Sequence, residues 1–429
     1  MSESASPRHR LVRMLAEGYG ESVVRRSAVV GVFALAAFGF NFLLLYLAAR
    51  LLNVEGFGVL YLANTVANVL FAPAVIINLF LTRHLTNTVH AGGLGAGEAA
   101  FHRILRAVSL WGGGLALMVL AALMGAGSLV GIASPVIVAL VVADAYTSYL
   151  ADTARAVLQS RRQALGVGIY SVVWMGLRFM FCMVGILLTG TVWGGLIGVI
   201  LSAVSVLGGF LWLDRNPAEH MVVRPPTPLA KLRIVSILPF AASYGVFVAL
   251  SYLDILVAYL RLDEAQMGVY SASSVLPKAV LVATMPIMQM LFPILIGSRD
   301  GHSFSRPMAW KAGIVAGSAA LGGSLTLYLG DSILCAGSLG VRSCSTVAMD
   351  AMLPSVIGLC LLRMLVLVQF ARGHDRHPML LAIGAAAWLA LVGTGAIGTQ
   401  ALALSYDKFI LAALVVYGLA CFPFRRSPR

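Results

Sequence analysis

The sequence predicts an all-α, polytopic integral membrane protein with about twelve transmembrane helices. Long apolar runs without a charged residue recur along its 429 residues, for example at 27–49, 56–82 and 179–213. About 20 such residues cross the hydrocarbon core of a bilayer as a helix. Since 60% of all residues are hydrophobic, no soluble domain could bury this much apolar length.

Dividing the apolar runs at glycines, prolines and charge clusters gives twelve predicted transmembrane spans. The first six predicted spans precede a polar segment that contains four prolines, and the last six follow it. The spans are 27–49, 57–82, 107–126, 130–151, 166–188, 191–213, 234–260, 267–297, 309–329, 349–370, 378–397 and 406–424. An even number of spans places both termini on the same side of the membrane.

The distribution of basic residues predicts which side that is. With the N-terminus in the cytoplasm, 23 of the 30 Lys and Arg residues fall in cytoplasmic segments or at their edges. This bias follows the positive-inside rule, so the net charge of +13 indicates membrane topology and not a nucleic-acid partner. We therefore expect a multi-pass protein of a bacterial inner membrane with both termini in the cytoplasm.

Two similar turns suggest an internal repeat with two six-helix lobes. Residues 52–59 follow span 1 and residues 262–269 follow span 7, and both turns end in Gly-Val, 210 residues apart. An even number of spans per lobe implies parallel repeats around an axis along the membrane normal. The expected division is a cytoplasmic segment with a surface helix (1–26), an N-terminal lobe (27–213), a linker (214–233), a C-terminal lobe (234–424) and a tail (425–429).

Cys335 and Cys344 fall in one predicted outer segment. A disulfide between them is compatible with a periplasmic location, and two unlinked thiols are the alternative. No cysteine has the spacing of a metal ligand, and the sequence predicts no metal and no cofactor.

Charged residues within the predicted spans are the candidates for function, because such charges are costly in lipid and face a cavity or a partner. The candidate cations for substrate binding are Arg178, Lys278 and Arg363. Asp144 and Asp254 are candidates for ion coupling or for neutralising Arg178 and Lys278 as charge pairs. Arg363 has no acidic residue at its depth, which favours it for direct contact with substrate.

Three amides in spans 1 and 2 complete the candidate site. Asn41, Asn64 and Asn68 could donate hydrogen bonds to sugar hydroxyls, and bonding between helices is the alternative. Cationic groups beside amides fit a lipid diphosphate that carries a glycan, since arginine matches phosphate oxygens through its planar fork.

Several short motifs resemble those of polysaccharide flippases, a branch of the multidrug, oligosaccharidyl-lipid and polysaccharide exporter superfamily. The turn from Arg50 to Gly58 resembles the Leu-Gly-x-x-x-Phe-Gly turn of that branch. Asp254 with the Gly-Val-Tyr-Ser-Ala segment 268–272 is similar to its span-7 motif. Segments 158–163 and 369–374 resemble its cytoplasmic turns after spans 4 and 10.

The resemblance implies two lobes that form a V around a central cavity. It also implies that the protein flips an undecaprenyl-diphosphate-linked oligosaccharide to the periplasmic leaflet by alternating access, for polysaccharide biosynthesis. The expected partners are this lipid-linked glycan, membrane lipids, and a polymerase and glycosyltransferases of the same pathway, without nucleic acid.

Two alternatives remain open. The first is an ion-coupled multidrug or small-molecule antiporter of the same superfamily. The second is a polyprenyl-dependent glycosyltransferase or ligase, which would need acidic or ligand-bearing groups on an outer loop. Apart from segments 330–348 and 399–405 the predicted outer turns are short, and no outer segment carries a histidine, so the sequence favours a protein that is not an enzyme.

Overall fold

The computed structural model describes residues 23–130, 134–160, 164–214, 244–284, 306–331, 345–372, 378–392 and 398–421. Within these ranges the regular structure is entirely helical. The helices are α1 Val23–Leu51, α2 Val54–Val130, α3 Pro135–Ser160, α4 Ala164–Thr189, α5 Val192–Asp214, α6 Tyr244–Ser251, α7 Leu253–Arg261, α8 Glu264–Ala283, α9 Arg306–Asp331, α10 Thr346–Arg372, α11 Pro378–Val392 and α12 Thr399–Cys421.

The predicted fold class is confirmed. Eight helices of the described chain are long and apolar enough to cross a membrane, and the bent pair α6–α7 would be a ninth. Each of the twelve predicted spans overlaps a helix, and the arrangement is consistent with twelve helices in two lobes. The chain is an integral membrane protein. The predicted surface helix, the linker after Asp214, Cys335, Cys344 and the tail from 425 lie outside the described residues.

Predicted spans 2 and 3 belong to one continuous helix, α2, which differs from the two separate helices expected. Its apolar segments Val54–Val75 and Ala100–Gly125 are joined by helical residues 76–99. A straight helix would separate Leu85 from Phe101 by about 24 Å. Both side chains nevertheless belong to one small core cluster with Ala156 and Val157 of α3. Helix α2 is therefore not straight between Leu85 and Phe101.

The described part of predicted span 7 consists of two helices, and residues 234–243 of that span lie outside the described residues. Helices α6 and α7 meet at Tyr252 with a bend of 48°. The Tyr252 backbone leaves the helical region (φ −121°, ψ 6°). Its carbonyl still accepts hydrogen bonds from the amides of Ile255 (3.1 Å) and Leu256 (3.3 Å), so the first turn of α7 is kept.

The two repeat-related turns have the same local structure. At the start of α2, the side chain of Asn53 accepts a hydrogen bond from the Gly56 amide at 3.0 Å. At the start of α8, the side chain of Asp263 accepts one from the Gln266 amide at 2.7 Å. Asparagine and aspartate are among the best N-caps because their oxygens satisfy amides of the first helical turn. The two caps lie 210 residues apart (263 − 53), the offset of the sequence repeat.

The two turns also contact each other. A Cβ atom placed on Gly58 would lie 3.2 Å from the Cα atom of Gly268, and one on Gly268 would collide with the Val54 carbonyl. Only glycine permits this approach of the two backbones. We call this end of the molecule, where α1–α2 and α7–α8 turn, the hairpin end. The two halves of the chain are therefore in close contact at the hairpin end.

A single large core cluster joins the two halves of the chain. It contains buried side chains from Leu44 on α1 to Tyr417 on α12. Helix α8 packs against both α1 and α2, which makes it the main link between the halves. Within the first half, α4 and α5 approach closely because a Cβ atom on Gly194 or Gly198 would meet the backbone of α4.

Candidate functional site

A cavity of about 240 Å³ lies between the two halves of the chain. Helices α1 and α2 form one wall, and α8 with Tyr252 forms the other. Its polar lining residues are Asn41, Tyr61, Asn64, Asn68, Tyr252 and Lys278. Four of these, the three asparagines and Lys278, are sequence-predicted site residues, and the fold brings them together.

Lys278 is the charged residue among the described side chains that line the cavity. Its Nζ atom donates a 2.6 Å hydrogen bond to Oδ1 of Asp254 and lies 5.1 Å from the centre of the Tyr252 ring. Asp254 is fully buried and does not line the cavity. Its other carboxylate oxygen accepts a hydrogen bond from the Tyr270 hydroxyl at 3.2 Å. A molecule in the cavity would therefore contact the cation of this pair and not the carboxylate.

A second ion pair lies inside the first half of the chain. Arg178 on α4 donates from Nη1 and Nη2 to the two carboxylate oxygens of Asp144 on α3, at 3.3 and 3.1 Å. Nη2 also donates to Oδ1 of Asn64 at 3.3 Å. Ser148 donates to the same carboxylate at 3.2 Å. Arg178 thus fixes the amide of Asn64, one of the cavity residues, without lining the cavity itself.

Both charge pairs that the sequence suggested are therefore formed. Removing one partner of a buried ion pair leaves an uncompensated charge in the interior. The resulting loss of folding free energy is larger than the net contribution of the intact pair. The geometry gives Arg178 and Asp144 a role in positioning. It gives Lys278 both a partner and access to the cavity.

Arg363 lies apart from the cavity lining. Its Nη2 atom donates to the Tyr244 hydroxyl at 2.8 Å, and its guanidinium carbon lies 5.6 Å from the centre of the Phe247 ring. Only 4% of the residue is exposed, and Nη1 has no hydrogen-bond partner among the described residues. The ion pairs of the described part of the chain do not include it.

Sequence reasoning missed the aromatic part of the site. Tyr61, Tyr252 and Tyr270 surround the Asp254–Lys278 pair and the cavity, but tyrosines are common in apolar spans and carry no diagnostic spacing. It also missed a polar cluster in the first half, where Asn78 donates to the carboxylate of Asp152 at 2.7 Å. Asp152 lies near the end of predicted span 4, where a solvated residue is expected, although it is 1% exposed.

The groups that line the cavity are suited to binding polar molecules. Amide, hydroxyl and ammonium groups line it, and these can hold hydroxyl groups and oxyanions. No group of His, Cys, Asp and Glu in the described part of the chain could hold a metal ion.

Comparison with known proteins places the fold. No protein-family model matches the sequence, and no curated protein matches it. Solved structures do match over nearly the whole chain. A MATE transporter in complex with MaL6 aligns with a TM-score of 0.66 and 12% identity, over 93% of this chain and 94% of that one.

Two further structures show the same fold. A mutant of the Vibrio cholerae MATE transporter VcmN aligns with a TM-score of 0.61 and 15% identity, over 95% and 96% of the two chains. A MOP superfamily transporter from Pyrococcus furiosus aligns with a TM-score of 0.63 and 12% identity, over 92% and 94%. The chain therefore has the fold of MATE transporters of the MOP superfamily. At these identities the likeness defines the fold alone.

Proposed function

We propose that this protein is a transporter that flips an undecaprenyl-diphosphate-linked oligosaccharide between membrane leaflets by alternating access of its two lobes. The observation that carries the proposal is the cavity between the halves, whose charged lining residue is Lys278. A cation beside three amides suits a cargo with phosphate oxygens and sugar hydroxyls.

The polarity of the cavity is the property that selects the cargo. For the Pyrococcus furiosus MOP transporter, reverse polarity of the binding pocket suggests a different function. In this chain the carboxylate of Asp254 is fully buried and its partner Lys278 lines the cavity. No carboxylate lines the described cavity. That arrangement disfavours a cationic cargo and favours an anionic one.

A multidrug or small-molecule antiporter is the second candidate. It is supported by the fold of the MATE structures and by Asp254, a fully buried carboxylate that could exchange its Lys278 partner for a coupling ion. In that case Asp254 would have to become accessible during the transport cycle.

Two assays on liposomes that contain the purified protein distinguish the two candidate functions. The first assay follows a short undecaprenyl-diphosphate oligosaccharide from one leaflet to the other, and the second follows efflux of a small organic cation. We expect flipping of the lipid-linked sugar, strongly reduced in Lys278→Met and in the Asn64→Leu, Asn68→Leu double variant.

Asn53→Ser is a matched control, since its side chain caps α2 outside the cavity and serine is an equally good N-cap. It should flip the substrate as the wild type does. Efflux of the cation without any binding of lipid-linked sugar would contradict the flippase proposal and support the antiporter.

A further inference from the structure

Arg363 is a buried cation whose hydrogen-bonding capacity is only partly used. Nη2 bonds to Tyr244, whereas Nη1 is buried and has no partner among the described residues. Removing a charge from water is expensive unless a counter-charge and hydrogen bonds replace the lost solvation. Among the described residues, the guanidinium contacts the hydroxyl of Tyr244 and the rings of Tyr244 and Phe247, and it contacts no carboxylate.

The groups beside Arg363 offer donors and few free acceptors. The Tyr244 oxygen accepts the hydrogen bond from Arg363, which leaves its own O–H free to donate. Nη1 is a second free donor on the same guanidinium. Two unused donors at a fixed positive charge are suited to an oxyanion, because charge-assisted hydrogen bonds from arginine to phosphate or carboxylate oxygens are stronger than bonds between neutral groups.

The position of Arg363 along α10 points to phosphate. Arg363 lies 17 residues after Thr346 and three residues before Val366, near the end of the apolar segment Thr346–Val366. Seventeen residues of helix are about 25 Å long, close to the thickness of the hydrocarbon core. Basic pockets between helices near the membrane surface hold the phosphate groups of lipids.

We propose that Arg363 and Tyr244 form a phosphate-binding subsite within the second half of the chain, separate from the cavity lined by Lys278. Its ligand is a phosphate oxyanion, supplied by a lipid headgroup or by free phosphate. The subsite goes beyond the proposed transport function, because phosphate would occupy it whichever cargo the cavity carries.

The test is phosphate binding to the full-length protein in a neutral detergent. The probes are inorganic phosphate, phosphatidic acid and, as a lipid without phosphate, diacylglycerol. Binding is measured by native mass spectrometry and by the rise in melting temperature. We expect phosphatidic acid to bind and to stabilise the wild type, and diacylglycerol to do neither.

The variants are Arg363→Met and Tyr244→Phe, with Tyr146→Phe as the matched control. Tyr146 donates its hydroxyl to the Ser109 carbonyl in the first half of the chain. Tyr244→Phe should raise the Kd for phosphatidic acid about tenfold, the effect of losing one hydrogen bond to a charged group. Arg363→Met should abolish binding, and Tyr146→Phe should leave it unchanged.

Stabilisation by phosphatidic acid alone would identify a lipid headgroup as the source, and stabilisation by both phosphates would identify a site open to free phosphate. Absence of binding to the wild type, or wild-type binding by Tyr244→Phe, would overturn the proposal. Tyr244→Phe decides the question if Arg363→Met does not fold. Flipping of lipid-linked sugar is measured separately, so failure of this test leaves the transport proposal standing.

Discussion

At the residue scale, the sequence predicts which polar residues form the site but not which of them face the cavity. Asn41, Asn64, Asn68 and Lys278 stand out as polar groups in apolar spans, and all four line the cavity. Helix depth predicts Asp254 near Lys278, and their ion pair is formed. Which partner faces the cavity depends on helix rotation, and helices that are apolar all round carry too little periodicity to fix that rotation.

Exchanging the members of the Asp254–Lys278 pair distinguishes a structural role of the pair from a role in substrate binding. Asp254→Lys and Lys278→Asp alone each place like charges together in a buried site, and each should lower the melting temperature sharply. The double exchange restores an ion pair and should recover stability. It also places the carboxylate at the cavity, so flipping of an anionic substrate should remain low. Recovery of full flipping would show that the pair is purely structural.

Arg178 should not be replaceable by lysine. Its guanidinium bonds to both oxygens of Asp144 and to Asn64, and a single ammonium group cannot reproduce this fork. Arg178→Lys should cost on the order of 1–3 kcal/mol of unfolding free energy, measured by denaturation in detergent. Arg155→Lys is the control, since Arg155 has a single ion pair with Asp152 at 2.9 Å and is more exposed. Equal losses in both variants would argue against the fork.

At the element scale, the sequence predicted the existence of the helices better than their continuity. Charges and glycines between 83 and 106 suggested a break, yet α2 continues through them. Conversely, α6 and α7 are broken at Tyr252, where neither glycine nor proline is present. Tertiary contacts decide both cases: Leu85 and Phe101 pack on α3, and the hydrogen bonds of Asp254 hold the start of α7.

The packing of α4 on α5 offers a prediction about one element pair. A Cβ atom on Gly198 would meet the α4 backbone, whereas a Cβ atom on Gly208 of the same helix would have no neighbour within 4 Å. Gly198→Val should separate the two helices and lower the melting temperature by several degrees more than Gly208→Val, because the helix-propensity change is the same in both. Similar melting temperatures for the two variants would contradict close packing at Gly198.

At the scale of the whole molecule, the repeated turns were the informative part of the sequence. The 210-residue offset between two short Gly-Val turns reappears in the paired caps Asn53 and Asp263. It also reappears in the contact of Gly58 with Gly268. That the two turns meet could not be predicted, because sequence spacing gives the order of helices along the chain and not the packing of one half on the other.

This contact closes the hairpin end, so enlarging it should open the molecule there. Gly58→Val places a side chain against Gly268, whereas Gly114→Val on the same helix has open space around it. Spin labels at Leu51 and Arg261, both exposed at equivalent positions of the two turns, report the separation. The distance between the labels should increase in Gly58→Val and stay unchanged in Gly114→Val. An unchanged distance in Gly58→Val would mean that this contact does not hold the halves together.

The pairing of Gly58 with Gly268 also bears on how such a chain can originate. In a two-fold symmetric homodimer, a residue on the axis meets its own copy, so one position forms both sides of the interface. Here two positions of one polypeptide have that relationship. A six-helix ancestor with a single glycine could form the same contact as a dimer. After gene duplication and fusion, the two copies of the glycine would be inherited in place, while the residues around Lys278 and Asn68, also 210 apart, became free to differ.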